Sequence, residues 1–140
     1  MSAKGLEGVS VGKSRLSWID GEKGELVYGG YEIDDLARNT TFEEVCYLLW
    51  NGALPTRDQL EELKRQFAAE RALAPELVEL LRAFPRDADP MAALRTAVSA
   101  LGMYDAQADD ITEAEVRRKS LLLTAKSPVI VAAYDRIRRG

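Results

Sequence analysis

The sequence contains no histidine, and its 140 residues include a single cysteine, Cys46. The first absence excludes most. Imidazole is the usual general base near neutral pH and the commonest metal ligand. Any chemistry here would have to run on carboxylates, lysine, tyrosine or one thiol. The lone cysteine excludes an internal disulfide and fits a reducing compartment. The first residues given show no basic-then-apolar pattern of the kind a secretory signal carries. The longest apolar stretch, residues 121–134, is interrupted by Lys126 and Pro128 and is too short to cross a bilayer. Positive charge is not in excess either: 19 Lys and Arg stand against 23 Asp and Glu, for a net charge of −4. That balance argues against a nucleic-acid partner, whose binding rests on basic contacts to phosphate. The basic clusters Arg117-Arg118-Lys119 and Arg136 to Arg139 read as solvated helix faces. A soluble, cytoplasmic chain without membrane or nucleic-acid partners is the expectation.

What is present suits one globular segment, 1–140, with 46% apolar and 30% charged residues. Residues 1–31 carry most of the glycine. Within them, Leu16 to Ile19 and Leu26 to Tyr28 are short β-forming runs around Asp20-Gly21 and Gly24, which predicts one hairpin with a loop of about five residues. From Glu32 to the end the pattern predicts helices. Thr41 with Glu44, Thr56 with Gln59 and Thr112 with Glu115 are capping boxes. Pro75 and Pro90 suit first helical positions, with Asp89 as an N-cap. Gly52 and Gly102 are expected stops. Leu60, Leu63 and Phe67 share a face, as do Leu77, Leu80, Leu81 and Phe84. The helix containing Phe42, Val45, Cys46, Leu48 and Leu49 is expected to be buried nearly all round. The last helix is expected from about Thr112 to Arg139, kinked at Pro128.

No catalytic, cofactor or metal site emerges. Cys46 lies on an apolar helix without a histidine to activate it, and reads as a small core residue. The pairs Asp87/Asp89 and Asp109/Asp110 offer too few oxygens for a hard cation. Together with Asp105 they suit caps and turns. Gly29-Gly30 matches no phosphate-loop pattern. Trp18, Tyr28, Tyr31 and Trp50 lack the basic groove of a nucleic-acid stacking platform and read as packing.

The helix at residues 90–102 is harder to place. Met91, Leu94, Val98 and Leu101 form one apolar stripe. Ala92, Ala93, Thr96, Ala97 and Ala100 cover much of the rest, and only Arg95 is charged. A helix this apolar must be covered on more than one side. Central core and subunit interface both satisfy that demand.

Several landmarks, in order, resemble the N-terminal portion of a citrate synthase of the bacterial and archaeal type that includes 2-methylcitrate synthases. They are GLEGV at 5–9, WIDG at 18–21, GELVYGGYEIDDLA at 24–37, TFEEVCYLLWNGALPT at 41–56, FPRDADPMAALRTAVSALG at 84–102 and AKSPVIVAAYDRIRRG at 125–140. Two positions depart from the family's pattern. Asp89 stands where many members have histidine, and Gly29 where a basic residue is common. The resemblance implies a mostly helical fold, a large-domain portion preceded by a short hairpin, and a homodimer. It places the helices at 90–102 and 112–139 in the layer that meets the other subunit. Met91, Leu94, Ala97, Val98, Leu101, Leu122, Val129 and Ala133 are then the candidate interface. The family joins acetyl-CoA, or propionyl-CoA, to oxaloacetate, using a carboxylate base, carbonyl-polarising histidines and substrate-holding arginines. The resemblance places all of these beyond the matched segment, so no catalytic residue and no bound cofactor is assigned here. Two readings follow. One is a part of such an enzyme, inactive alone, with the missing C-terminal part as its partner. The other is a stand-alone dimerisation or regulatory module, pairing with itself or with a complete citrate synthase.

Overall fold

The computed structural model describes residues 14–140. The GLEGV stretch and the start of the expected 1–31 hairpin region lie outside the described residues. The chain gathers into two compact units, Met1–Leu63 and Lys64–Gly140. The change from strands to helices falls inside the first.

In the first unit β1 (Ser17–Asp20), β2 (Glu25–Tyr28) and β3 (Tyr31–Glu32) form an antiparallel sheet in that order. The β1–β2 register pairs Asp20 with Glu25, so the loop has four residues, 21–24, one fewer than expected. Asp20 shapes it, its Oδ1 accepting from the Glu22 and Lys23 amides at 3.1 Å each.

The third strand was not expected, because two residues carry no alternation to read. Its turn is Gly29-Gly30, with φ of +56° and +92° between the paired Tyr28 and Tyr31. Positive φ at both central residues is what a type I′ hairpin turn demands. Gly29 is constrained twice over. A Cβ there would stand 2.9 Å from Leu48 Cδ1.

Helix α1 (Ile33–Asn39) leads to α2 (Phe42–Asn51). The Thr41–Glu44 capping box starts α2: the Glu44 amide donates to Thr41 Oγ1 at 3.4 Å and the Thr41 amide to Glu44 Oε2 at 2.7 Å. Gly52, left-handed at φ 80°, stops it by donating to the Leu48 carbonyl. This helix is less buried than expected. Only Leu48 is fully enclosed, and Phe42 is 63% exposed. An apolar composition calls for cover on several faces but does not supply it. The Thr56–Gln59 box starts α3 (Arg57–Glu70), and Leu63 and Phe67 are buried on the expected face. The boundary between the units falls within α3.

The second unit packs α4 (Pro75–Ala83), α5 (Pro90–Met103) and α6 (Glu113–Arg139) around Leu77, Leu81, Ala93, Ala97, Ala100, Ile130 and Tyr134. Pro75 and Pro90 open their helices, and Asp89 Oδ1 caps α5 by accepting from the Ala92 amide at 2.8 Å. Burying each large apolar side chain contributes roughly 1.5–3 kcal/mol.

Three expectations fail in this unit. Gly102 does not stop α5. It keeps a helical conformation, and the helix ends one residue later at Met103, with Tyr104 as C-cap. The Thr112–Glu115 box does not form, because both residues are engaged otherwise: Glu115 accepts from Arg118 Nε, and the Thr112 amide donates to Asp110 Oδ1. The Arg118–Lys119 part of the first basic cluster is not a solvated face, since both side chains bond to the α5–α6 connection. Pro128 sits inside α6, which continues through it to Arg139.

Candidate functional site

Helix α6 holds the second unit together through polar side chains that reach three connections. Near its start, Arg118 bridges Asp105 (2.6 Å) and Glu115 (2.7 Å). Beside it, Lys119 Nζ donates to the carbonyls of Gln107, Ala108 and Asp110. About two turns further on, Lys126 Nζ donates to the carbonyls of Glu70 and Ala72 at 2.6 and 2.7 Å. These carbonyls lie at the end of α3, where no helical amide follows to satisfy them. Near its end, Tyr134 Oη donates to the Pro85 carbonyl at 2.9 Å.

The loop between α5 and α6 is built by aspartates, in the turn role expected of Asp105 and Asp110. Asp105 Oδ1 accepts from the Gln107 amide at 3.0 Å, and Asp110 Oδ1 from the Thr112 amide at 2.8 Å. The Arg118 guanidinium, then the Gln107 amide, hold the Asp105 carboxyl below the usual carboxylate range. The Thr112 amide does the same for Asp110.

The candidate interface residues on α5 separate by size. Ala97 is fully enclosed in the unit's own core, beside Ala93 and Ala100. The larger stripe is left partly outside. Met91 is 68% exposed, Leu94, Val98 and Leu101 are half-buried, and so are Leu122, Val129 and Ala133. The alanines let α5 approach α4 and α6 closely, which pushes the bulkier side chains to the flanks. Periodicity could not choose between these faces, since 93, 97, 100 is as helical a spacing as 91, 94, 98, 101.

The larger residues line two grooves between α5 and α6. One, of about 180 Å³, is formed by Met91 and Leu94 against Ile130, Val131 and Tyr134. The other, of about 380 Å³, is formed by Val98 and Leu101 against Leu122, Leu123 and Lys126. These pairings make the two helices antiparallel.

The remaining candidates fall elsewhere. Cys46 is half-buried on α2, and burial, then the Glu43 charge, pushes its thiol up to about 11. That leaves very little thiolate at neutral pH, the opposite of an activated nucleophile. Asp89 is committed to its cap. Among the described residues, no cluster of three or more His, Cys, Asp or Glu side chains could hold a metal ion. Trp18 and Tyr31 are exposed, while Tyr28 and Trp50 are half-buried. No described helix is long and apolar enough to cross a membrane. The sequence reading missed Lys126 and Tyr134 as anchoring residues. Their only signal was a polar group set within an apolar helix.

Comparison with known proteins decides the family. The sequence matches the family model "Citrate synthase, C-terminal domain" over residues 5–140. It is 51% identical to a citrate synthase of Haloferax volcanii, over 98% of this chain and 37% of that relative. The fold superposes on the crystal structure of Thermotoga maritima citrate synthase with a TM-score of 0.84 and 35% identity, covering 100% of this chain and 36% of that one. A Thermoplasma acidophilum citrate synthase, solved as a ternary complex with carboxymethyl coenzyme A and oxaloacetate, gives a TM-score of 0.85 at 26% identity, covering 99% and 37%.

The chain belongs to the citrate synthase family. It spans about 37% of the length of the Haloferax citrate synthase. The mostly helical fold behind a short N-terminal sheet is that of the solved citrate synthases. The matched residues 5–140 include the whole second unit and all but the first four residues of the first.

Proposed function

We propose that this chain is the N-terminal scaffold of a citrate synthase-type enzyme, that it carries a subunit-pairing surface, and that it does not catalyse alone. The parent reaction would condense acetyl-CoA, or propionyl-CoA, with oxaloacetate. One observation carries the reading: a chain spanning about 37% of a citrate synthase relative contains no histidine. The enolisation of the acyl methyl group and attack on a ketone both need their carbonyl oxygens polarised. The family assigns that task to imidazole, and this chain has none to give.

The pairing surface would be the flank of α5 and α6 that carries the two grooves. Met91, Leu94, Val98, Leu101 and Leu122 supply its apolar area, and apolar helix faces left open on a chain are covered in an assembly. Sedimentation equilibrium tests this part. The chain of 15.5 kDa should approach twice that mass at high micromolar concentration. Met91→Glu should return it to a single chain with unchanged melting, because Met91 is exposed in the chain itself. Ala97→Glu should instead unfold the chain, because it buries a charge with no partner. A wild-type chain that stays single at every concentration would rule the surface out.

A further inference from the structure

Beside the first groove lies a cavity of about 400 Å³, lined by Arg82, Phe84, Arg86, Tyr134, Ile137 and Arg138. Its three guanidiniums come from three segments: α4, the α4–α5 connection and α6. Glu79 meets Arg82 at 2.9 Å, and Asp135 is shared by Arg138 (3.2 Å) and Arg139 (3.1 Å). Four arginines thus stand against two carboxylates. Among the described residues no carboxylate lies within ion-pair distance of Arg86. Asp89, close by in sequence, is turned to the Ala92 amide. Phe84 and Tyr134 line it as well, meeting edge to face with centroids 6.1 Å apart, and the Tyr134 hydroxyl is occupied by Pro85.

We propose that this cavity binds a small phosphate-type anion, a role that goes beyond the scaffold reading and does not depend on it. Guanidinium forks present paired N–H donors to oxyanions. Three forks from three segments lining one cavity offer more N–H donors than a planar carboxylate needs, which one or two forks satisfy, and so suit a tetrahedral oxyanion better. The volume is that of a small-ligand site. Phe84 and Ile137 add an apolar surface that an organic group attached to the phosphate could cover.

The test is calorimetric titration of the full chain with inorganic pyrophosphate and, separately, phenyl phosphate, in chloride at matched ionic strength. Saturable binding of either probe is expected, about tenfold weaker in Arg86→Gln, since a charged hydrogen bond of that size is lost. Arg86 is exposed, so this variant keeps the fold. Tighter binding of phenyl phosphate would identify an organic phosphate as the natural source, and tighter binding of pyrophosphate an inorganic one. Binding that does not saturate, or that Arg86→Gln leaves unchanged, would overturn the proposal.

Discussion

Tyr134 reaches back 49 residues to donate its hydroxyl to the Pro85 carbonyl at 2.9 Å. The ring is buried against Phe84, and the bond pins the connection between α4 and α5 to the end of α6. Tyr134→Phe keeps the ring and removes the donor. It should cost about 1–2 kcal/mol, since a part-buried carbonyl loses its partner. Urea unfolding would show this as a lower midpoint at unchanged slope. No shift would mean that water replaces the bond.

Gly29 gives a second expectation. Alanine there must hold a φ of +56° and meet Leu48 Cδ1 at 2.9 Å. The left-handed conformation alone costs roughly 1–2 kcal/mol. The contact adds to this only while the leucine is present. Gly29→Ala should therefore cost less in a Leu48→Ala background than in the wild type. A double-mutant cycle on melting measures the difference, and strict additivity would deny the contact.

How the sequence speaks at these positions explains what it revealed. The Thr41 and Thr56 caps and the Pro75 and Pro90 starts are local, and each could be read because its partners lie within three residues. The Thr112 box looked the same, but Arg118 captured Glu115 and Asp110 captured the Thr112 amide. A competing partner is invisible to a local rule. The inward face of α5 was equally hidden, since alanine and leucine stripes share one period and only the distance to α4 and α6 selects between them. Gly29-Gly30 matches no phosphate-loop pattern, and the strand its turn serves, two residues long, is too short to register as an alternation. The family was legible because several landmarks occurred in order, which no single spacing could match.

Acid should weaken the α5–α6 connection. The folded Asp105 carboxyl lies below its unfolded value of about 3.9. Its contribution is therefore complete above that value and is lost as pH falls through the folded one. Wild-type melting should fall as pH drops below about 4. Asp105→Asn keeps an acceptor for the Gln107 amide but cannot titrate, so its melting should fall less steeply. Asp110 and Asp20 are lowered too, by amide hydrogen bonds from Thr112 and Lys23, so some slope should remain. Identical pH profiles for the two proteins would show that the Asp105–Arg118 bridge is not held in solution.

Thiol release distinguishes a scaffold from a catalyst. The purified chain would be given acetyl-CoA and oxaloacetate, then propionyl-CoA and oxaloacetate, and free coenzyme A followed over time. Release at the rate of the protein-free control is expected with both acyl donors. Release that saturates in both substrates and scales with the amount of chain would contradict the scaffold reading, and would mean that a sequence without histidine performs the condensation alone.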